Sequence, residues 1–119
     1  DIMLIKNKKA NKVARKRLQI GESHLKANSR DLFFEEIHKA MWGYLSDKLS
    51  IPVSNLTSEN ARIELNSKGV DEIDIEEFMR IIAVCEYARF SPETDNSEMN
   101  SLFNSAHQLI MKFEQIIKK

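Results

Sequence analysis

A chain of 119 residues is long enough to bury one hydrophobic core without disulfide or metal staples. With 42% hydrophobic and 30% charged residues, and only three Gly and two Pro, the composition excludes collagen-like and turn-rich β architectures and favours helices. The net charge is zero, yet residues 1–30 hold nine Lys or Arg against Asp1 and Glu22, a net of +7 that leaves −7 for the remainder, and such a division points one end of the chain at a polyanion.

The chain opens on Asp1 rather than Met, from which we expect a longer parent protein. Residues 1–7 read as a membrane-proximal remnant and residues 8–119 as a single helical domain. The apolar run Ile2-Met3-Leu4-Ile5 is followed at once by Lys6, Lys8, Lys9, Lys12, Arg15, Lys16 and Arg17, the pattern of a chain leaving a bilayer into the cytoplasm. Two other readings of this basic run are a solvated helix face and a nucleic-acid site. The second is disfavoured, because no aromatic is interleaved with the charges to stack on bases and no DNA-reading helix-turn-helix is recognisable. No stretch approaches the roughly 18 apolar residues of a membrane span.

Residues 8–26 predict a basic helix with a narrow stripe of Ala10, Ala14, Leu18, Gly21 and Leu25. Asn28 suits a left-handed cap and Ser29 an N-cap, which together predict a helical hairpin. The strongest segment is 30–49, where Phe33, Ile37, Ala40, Met41, Tyr44, Leu45 and Leu49 form one face and Glu35, Glu36, Lys39, Asp47 and Lys48 are placed elsewhere. Pro52 is expected to end it. Thr57 is then an N-cap for a helix of about 58–68, with Gly69 stopping it and Val70 folding back. Asp71 caps a helix over 72–89 that is acidic in its first turns, with Phe78, Ile81, Ile82 and Cys85 on its apolar face.

Ser91-Pro92 closes that helix, and Glu93–Glu98 reads as a loop or a first turn. A last amphipathic helix carries Met99, Leu102, Phe103, Ala106, Leu109, Ile110, Phe113, Ile116 and Ile117 and ends in Lys118 and Lys119. No segment alternates with the period of a strand, so the fold expected is an all-α bundle of four to five helices. Its core should bring together Phe33, Ile37, Met41, Leu45, Phe78, Ile82, Leu102, Phe103, Leu109 and Phe113.

Chemistry is sparse in this sequence. His24, His38 and His107 fall in different helices, and no HExxH, Cys-His cluster, EF-hand loop or Gly-rich phosphate loop occurs. We therefore expect no catalytic residues, no cofactor, no metal and no small-molecule substrate. Cys85, the single cysteine, sits on an apolar face where burial should make its thiol inert. The adjacent pairs Glu35-Glu36 and Glu76-Glu77 point about 100° apart on a helix and read as solvated. Trp42, Tyr87 and Phe90, with Arg89 between the last two, are core residues or a partner-binding surface, since aromatic and Arg side chains dominate interface energetics.

Two runs carry a resemblance. Ala40-Met41-Trp42-Gly43-Tyr44-Leu45-Ser46-Asp47-Lys48-Leu49-Ser50-Ile51-Pro52-Val53, followed by Leu56, Asn60 and Lys68-Gly69-Val70, is similar to the C-terminal region of BatD-type oxygen-tolerance (aerotolerance) proteins of Bacteroides-like bacteria. So is Cys85-Glu86-Tyr87-Ala88-Arg89-Phe90-Ser91-Pro92, and Lys8 to Leu18 looks like that family's basic segment after its membrane span. The likeness covers roughly residues 6–92. It implies a parent with a signal peptide, extracytoplasmic β-rich domains, one membrane span and a tail on the cytoplasmic face of the inner membrane. It implies as partners a MoxR-type ATPase and von Willebrand A-type membrane proteins, and it transfers no catalytic residue. A competing reading is a tetratricopeptide-like adaptor that binds a peptide; the first helical hairpin permits it, but no 34-residue repeat supports it.

Overall fold

The computed structural model describes residues 2–90 and 95–117, without the side chains of Met3, Leu4 and Arg89. Among the described residues the chain forms five α-helices and no strand, as the periodicity predicts. These are α1 (Ile2–Lys26), α2 (Arg30–Leu49), α3 (Ser58–Ser67), α4 (Glu72–Tyr87) and α5 (Asn96–Ile116), with single 3₁₀ turns at Val53–Asn55 and Ala88–Phe90. The first helix starts earlier than the expected residue 8: it begins at Ile2, so residues 2–7 are helical as well.

The helix ends follow local chemistry. Asn28 adopts a left-handed φ of 57° and lets the Ser29 amide reach back to the His24 carbonyl at 2.9 Å, turning α1 into α2. Ser29 holds the N-cap position, but its side chain makes no capping bond. α2 is ended by Ser50 in the left-handed region, two residues ahead of the expected stop at Pro52. The buried Ser46 hydroxyl seals this end by donating to the Ile51 carbonyl at 2.6 Å. Thr57 and Asn60 form a reciprocal capping box. Gly69, at φ 89°, allows the amide of Val70 to return to the Leu65 carbonyl at 3.1 Å, and the Val70 side chain is buried over the helix end. Asp71 sits at the N-cap of α4 without a side-chain bond, whereas Asp95 accepts from the Glu98 amide at 2.9 Å and starts α5. The stretch 91–94 and Lys118-Lys119 lie outside the described residues.

α1 and α2 pack as an antiparallel hairpin. Gly21 lies on the Ile37 side chain, Arg17 reaches the Lys39 carbonyl and the face of Gly43, and Asn7 donates to the Lys48 carbonyl at 2.6 Å. The predicted stripe of Ala10, Ala14, Leu18, Gly21 and Leu25 is buried throughout. α2 is the central element and touches α1, α4 and α5; α5 lies against α1, α2 and α4, while α3 packs on α4.

Stacked rings run through the centre. Trp42 lies on Phe78 (centroids 5.8 Å apart), Phe78 on Phe113 (6.0 Å), and Phe113 against Tyr44 (6.5 Å). Of the expected core, Phe103 alone is only half-buried, stacked on His107 at 6.4 Å.

The main correction inside the core concerns Lys48. It was expected off the apolar face, yet its side chain is only 8% exposed. Its ammonium sits 3.0 Å from Glu114 of α5, which also accepts the Tyr44 hydroxyl proton at 2.5 Å. Burial and the neighbouring carboxylate together push the Tyr44 phenol far above its ordinary pKa. The largely exposed Lys112 meets the nearly buried Asp74 at 3.0 Å and ties α5 to α4.

Candidate functional site

Two surfaces hold the residues singled out in the sequence. The first is a cleft of about 610 Å³ where the N-terminal half of α2 meets the end of α4. Its floor is Phe34, Cys85 and Ala88, and its polar wall includes Glu35, His38 and Glu86. His38 Nε2 and Glu86 Oε2 are 3.1 Å apart across it. The Arg30 guanidinium lies 5.3 Å from the centre of the Phe34 ring and donates to the Ala88 carbonyl, pinning the 3₁₀ turn that follows α4.

That turn decides where the aromatics go. Ala88 is buried, whereas Tyr87 and Phe90 on either side of it are 73% and 76% exposed. Phe90 borders the cleft. Trp42, expected as a possible member of the same surface, is instead half-buried on Phe78 and belongs to the core, because α2 turns that side towards α4. The side chain of Arg89 lies outside the described residues. Of the four candidates the structure leaves Tyr87 and Phe90 exposed, and Phe90 alone of these two lines the cleft. It adds Phe34, His38 and Glu86, which periodicity could not single out because they become neighbours only when α2 meets α4.

Cys85 lies at the floor of this cleft and is buried, and desolvation pushes its thiol up to about 12. A thiol so placed is a poor nucleophile at neutral pH. Among the described residues, no three His, Cys, Asp or Glu side chains are grouped so as to hold a metal ion.

The second surface is the outward side of α1. Lys8, Lys9, Lys12, Arg15 and Lys16 are exposed there. The other two cations of the predicted basic segment behave differently. Arg17 turns in to donate to the Lys39 carbonyl at 3.1 Å, and both Lys6 and Arg17 act on Asp47 of α2. Asp47 stays above its ordinary pKa because its partial burial outweighs these two cations.

Among the described residues no helix is long and apolar enough to cross a membrane. No protein-family model, curated protein or solved structure matches the chain.

Proposed function

We propose that this chain is a non-catalytic interaction domain of a membrane-anchored aerotolerance protein, held at the cytoplasmic face of a bacterial inner membrane and docking a protein partner there. The observation that carries the reading is the pair Tyr87 and Phe90, two large aromatics 73% and 76% exposed at the end of α4 and of the turn after it, the second of them bordering an apolar-floored cleft. A fold of this size gains nothing from exposing them, and exposed rings beside a pocket are a common form of partner anchor. The BatD-like runs supply the biological setting, since the second of them spans this corner, from Cys85 to Pro92. They also name the partner classes, a MoxR-type ATPase first and von Willebrand A-type membrane proteins second. The basic face of α1 supports a position next to an anionic membrane.

The test is direct binding between the chain and a purified MoxR-type ATPase, by calorimetry or anisotropy. Replacing Tyr87 and Phe90 together by Ala should weaken the complex at least 30-fold, the size of an interface anchor of about 2 kcal/mol or more. Arg89→Ala should weaken it as well. Both aromatic side chains are exposed, so circular dichroism should show an unchanged fold. Equal affinity for wild type and the double variant would remove this corner as the docking site.

A further inference from the structure

We infer that α1 docks lengthwise on an anionic phospholipid surface, its axis parallel to the bilayer plane, through Lys8, Lys9, Lys12, Arg15 and Lys16. The inference rests on the membrane-proximal reading above and gives it an orientation that the sequence did not suggest. A chain simply leaving the bilayer at Ile5 would stand its first helix upright.

The length of the helix argues against the upright posture. α1 is unbroken from Ile2 to Lys26. At a rise of about 1.5 Å per residue, an upright helix leaving the bilayer at Ile5 would hold Lys16 roughly 16 Å, and Lys26 roughly 32 Å, from the surface. The screening length is about 10 Å in 0.1 M salt, so the distal cations would contribute little. Laid flat, every outward cation reaches the headgroups.

The sidedness argues for the same posture. At about 100° per residue, Lys8, Lys9, Lys12, Arg15 and Lys16 share an arc of roughly 120° opposite the buried stripe. No Asp or Glu occurs from residue 2 to residue 21, and Glu22, half-buried beside Arg15 in a second cleft against α5, lies at the edge of that arc. None of the five cations takes part in an ion pair among the described residues. Exposed Ile5 and Ile20 lie on the same outward side, one at each end of the basic stripe. Apolar side chains among outward amines suit the boundary between headgroups and acyl chains. They serve no purpose on a duplex, and residues 2–26 contain no Phe, Tyr or Trp to stack on bases.

The test uses vesicles of phosphatidylglycerol, with phosphatidylcholine vesicles and duplex DNA as comparisons. The chain should sediment with phosphatidylglycerol at low salt and leave it as salt rises. Lys9→Gln, Lys12→Gln and Lys16→Gln together should weaken partitioning roughly a hundredfold, at about 1 kcal/mol for each cation. An environment-sensitive fluorophore is then attached, in a Cys85→Ala background, at Ile5→Cys, Ile20→Cys, Ser23→Cys or, on α4, Ala83→Cys. Lengthwise docking predicts a blue shift and protection from an aqueous quencher at the first three positions and none at the fourth. Protection at Ile5 alone overturns the orientation and leaves the membrane-proximal reading standing. Failure to bind phosphatidylglycerol, unchanged partitioning of the triple variant, or binding to DNA alone overturns both.

Discussion

Replacing Glu114 by Gln should destabilise this domain far more than a surface substitution, because it strands a buried ammonium. Lys48 is almost wholly enclosed and has Glu114 at 3.0 Å as its counter-charge. Breaking a buried ion pair from one side costs about 3–5 kcal/mol. Here the Glu114 side chain is 25% exposed, so water can reach the site and soften the loss, which we place at about 2–3 kcal/mol. The amide oxygen of Gln can still accept the Tyr44 hydroxyl, so that bond adds little to the loss. With a urea m-value of about 1.5 kcal/mol per M, the midpoint should fall by roughly 1.3–2 M in far-ultraviolet circular dichroism. Replacing the whole cluster, with Tyr44→Phe, Lys48→Met and Glu114→Leu together, removes every polar group and should cost less than Glu114→Gln alone. A midpoint for Glu114→Gln within about 0.3 M of wild type, or a triple variant less stable than the single one, would refute the assignment of this cluster as a buried charge clamp.

Phe78→Ala removes the middle ring of the aromatic stack and should cost about 3–5 kcal/mol by urea denaturation, whereas an unchanged midpoint would mean that the face is not packed as described. Cys85 should label slowly with an aromatic disulfide reagent in the native state and fast in denaturant, since its thiol is buried and pushed up to about 12. The same shift sets an alkaline limit. The folded state holds the thiol proton, and from about pH 8.5 the unfolded chain releases it, so stability is intact below that pH and falls by up to about 1.4 kcal/mol per unit towards pH 12. Tyr44, raised in the same direction, should steepen the fall above about pH 10, and the urea midpoint of Cys85→Ala should decline less than that of wild type between pH 8 and 10.5. Gly21→Ala would bring a Cβ within 2.9 Å of the buried Ile37 Cδ1, so despite the gain in helix propensity it should cost about 1–3 kcal/mol in thermal or urea unfolding.

Periodicity and end chemistry made the helices legible because each is a local matter. The stripe on α1, the extent of α2, the capping box at Thr57 and the left-handed Gly69 are settled by residues within one or two turns of each other. α1 begins at Ile2 rather than near residue 8, where its predicted stripe starts, because nothing in residues 2–7 breaks a helix. Ser50 as the terminator of α2 was hidden behind Pro52, the louder signal; a non-glycine residue at φ 58° is uncommon enough that sequence alone rarely points to it.

Lys48 was misjudged for a different reason. A residue three before it, Leu45, and one four before it, Tyr44, are both buried, so helical geometry already placed Lys48 on the apolar face. Its charge argued it back into solvent. What reconciles the two is Glu114, 66 positions further on and invisible to any local rule until α5 docks on α2.

The same comparison explains why Tyr87 and Phe90 are informative where Trp42 is not. All three are large aromatics on or beside an amphipathic helix, and sequence gave each the same standing. Docking α2 on α4 stacks Trp42 on Phe78, so folding itself accounts for that ring. The tight turn after α4 buries Ala88, while Tyr87 at the end of α4 and Phe90 at the end of the turn stay outside. Arg30 holds that turn through the Ala88 carbonyl. Phe90, bordering a floor of Phe34 and Cys85, and Tyr87, at the end of α4, have no role in the core. A partner that covered them would recover the free energy that the fold leaves unused, about 25 cal/mol for each Å² of apolar surface removed from water.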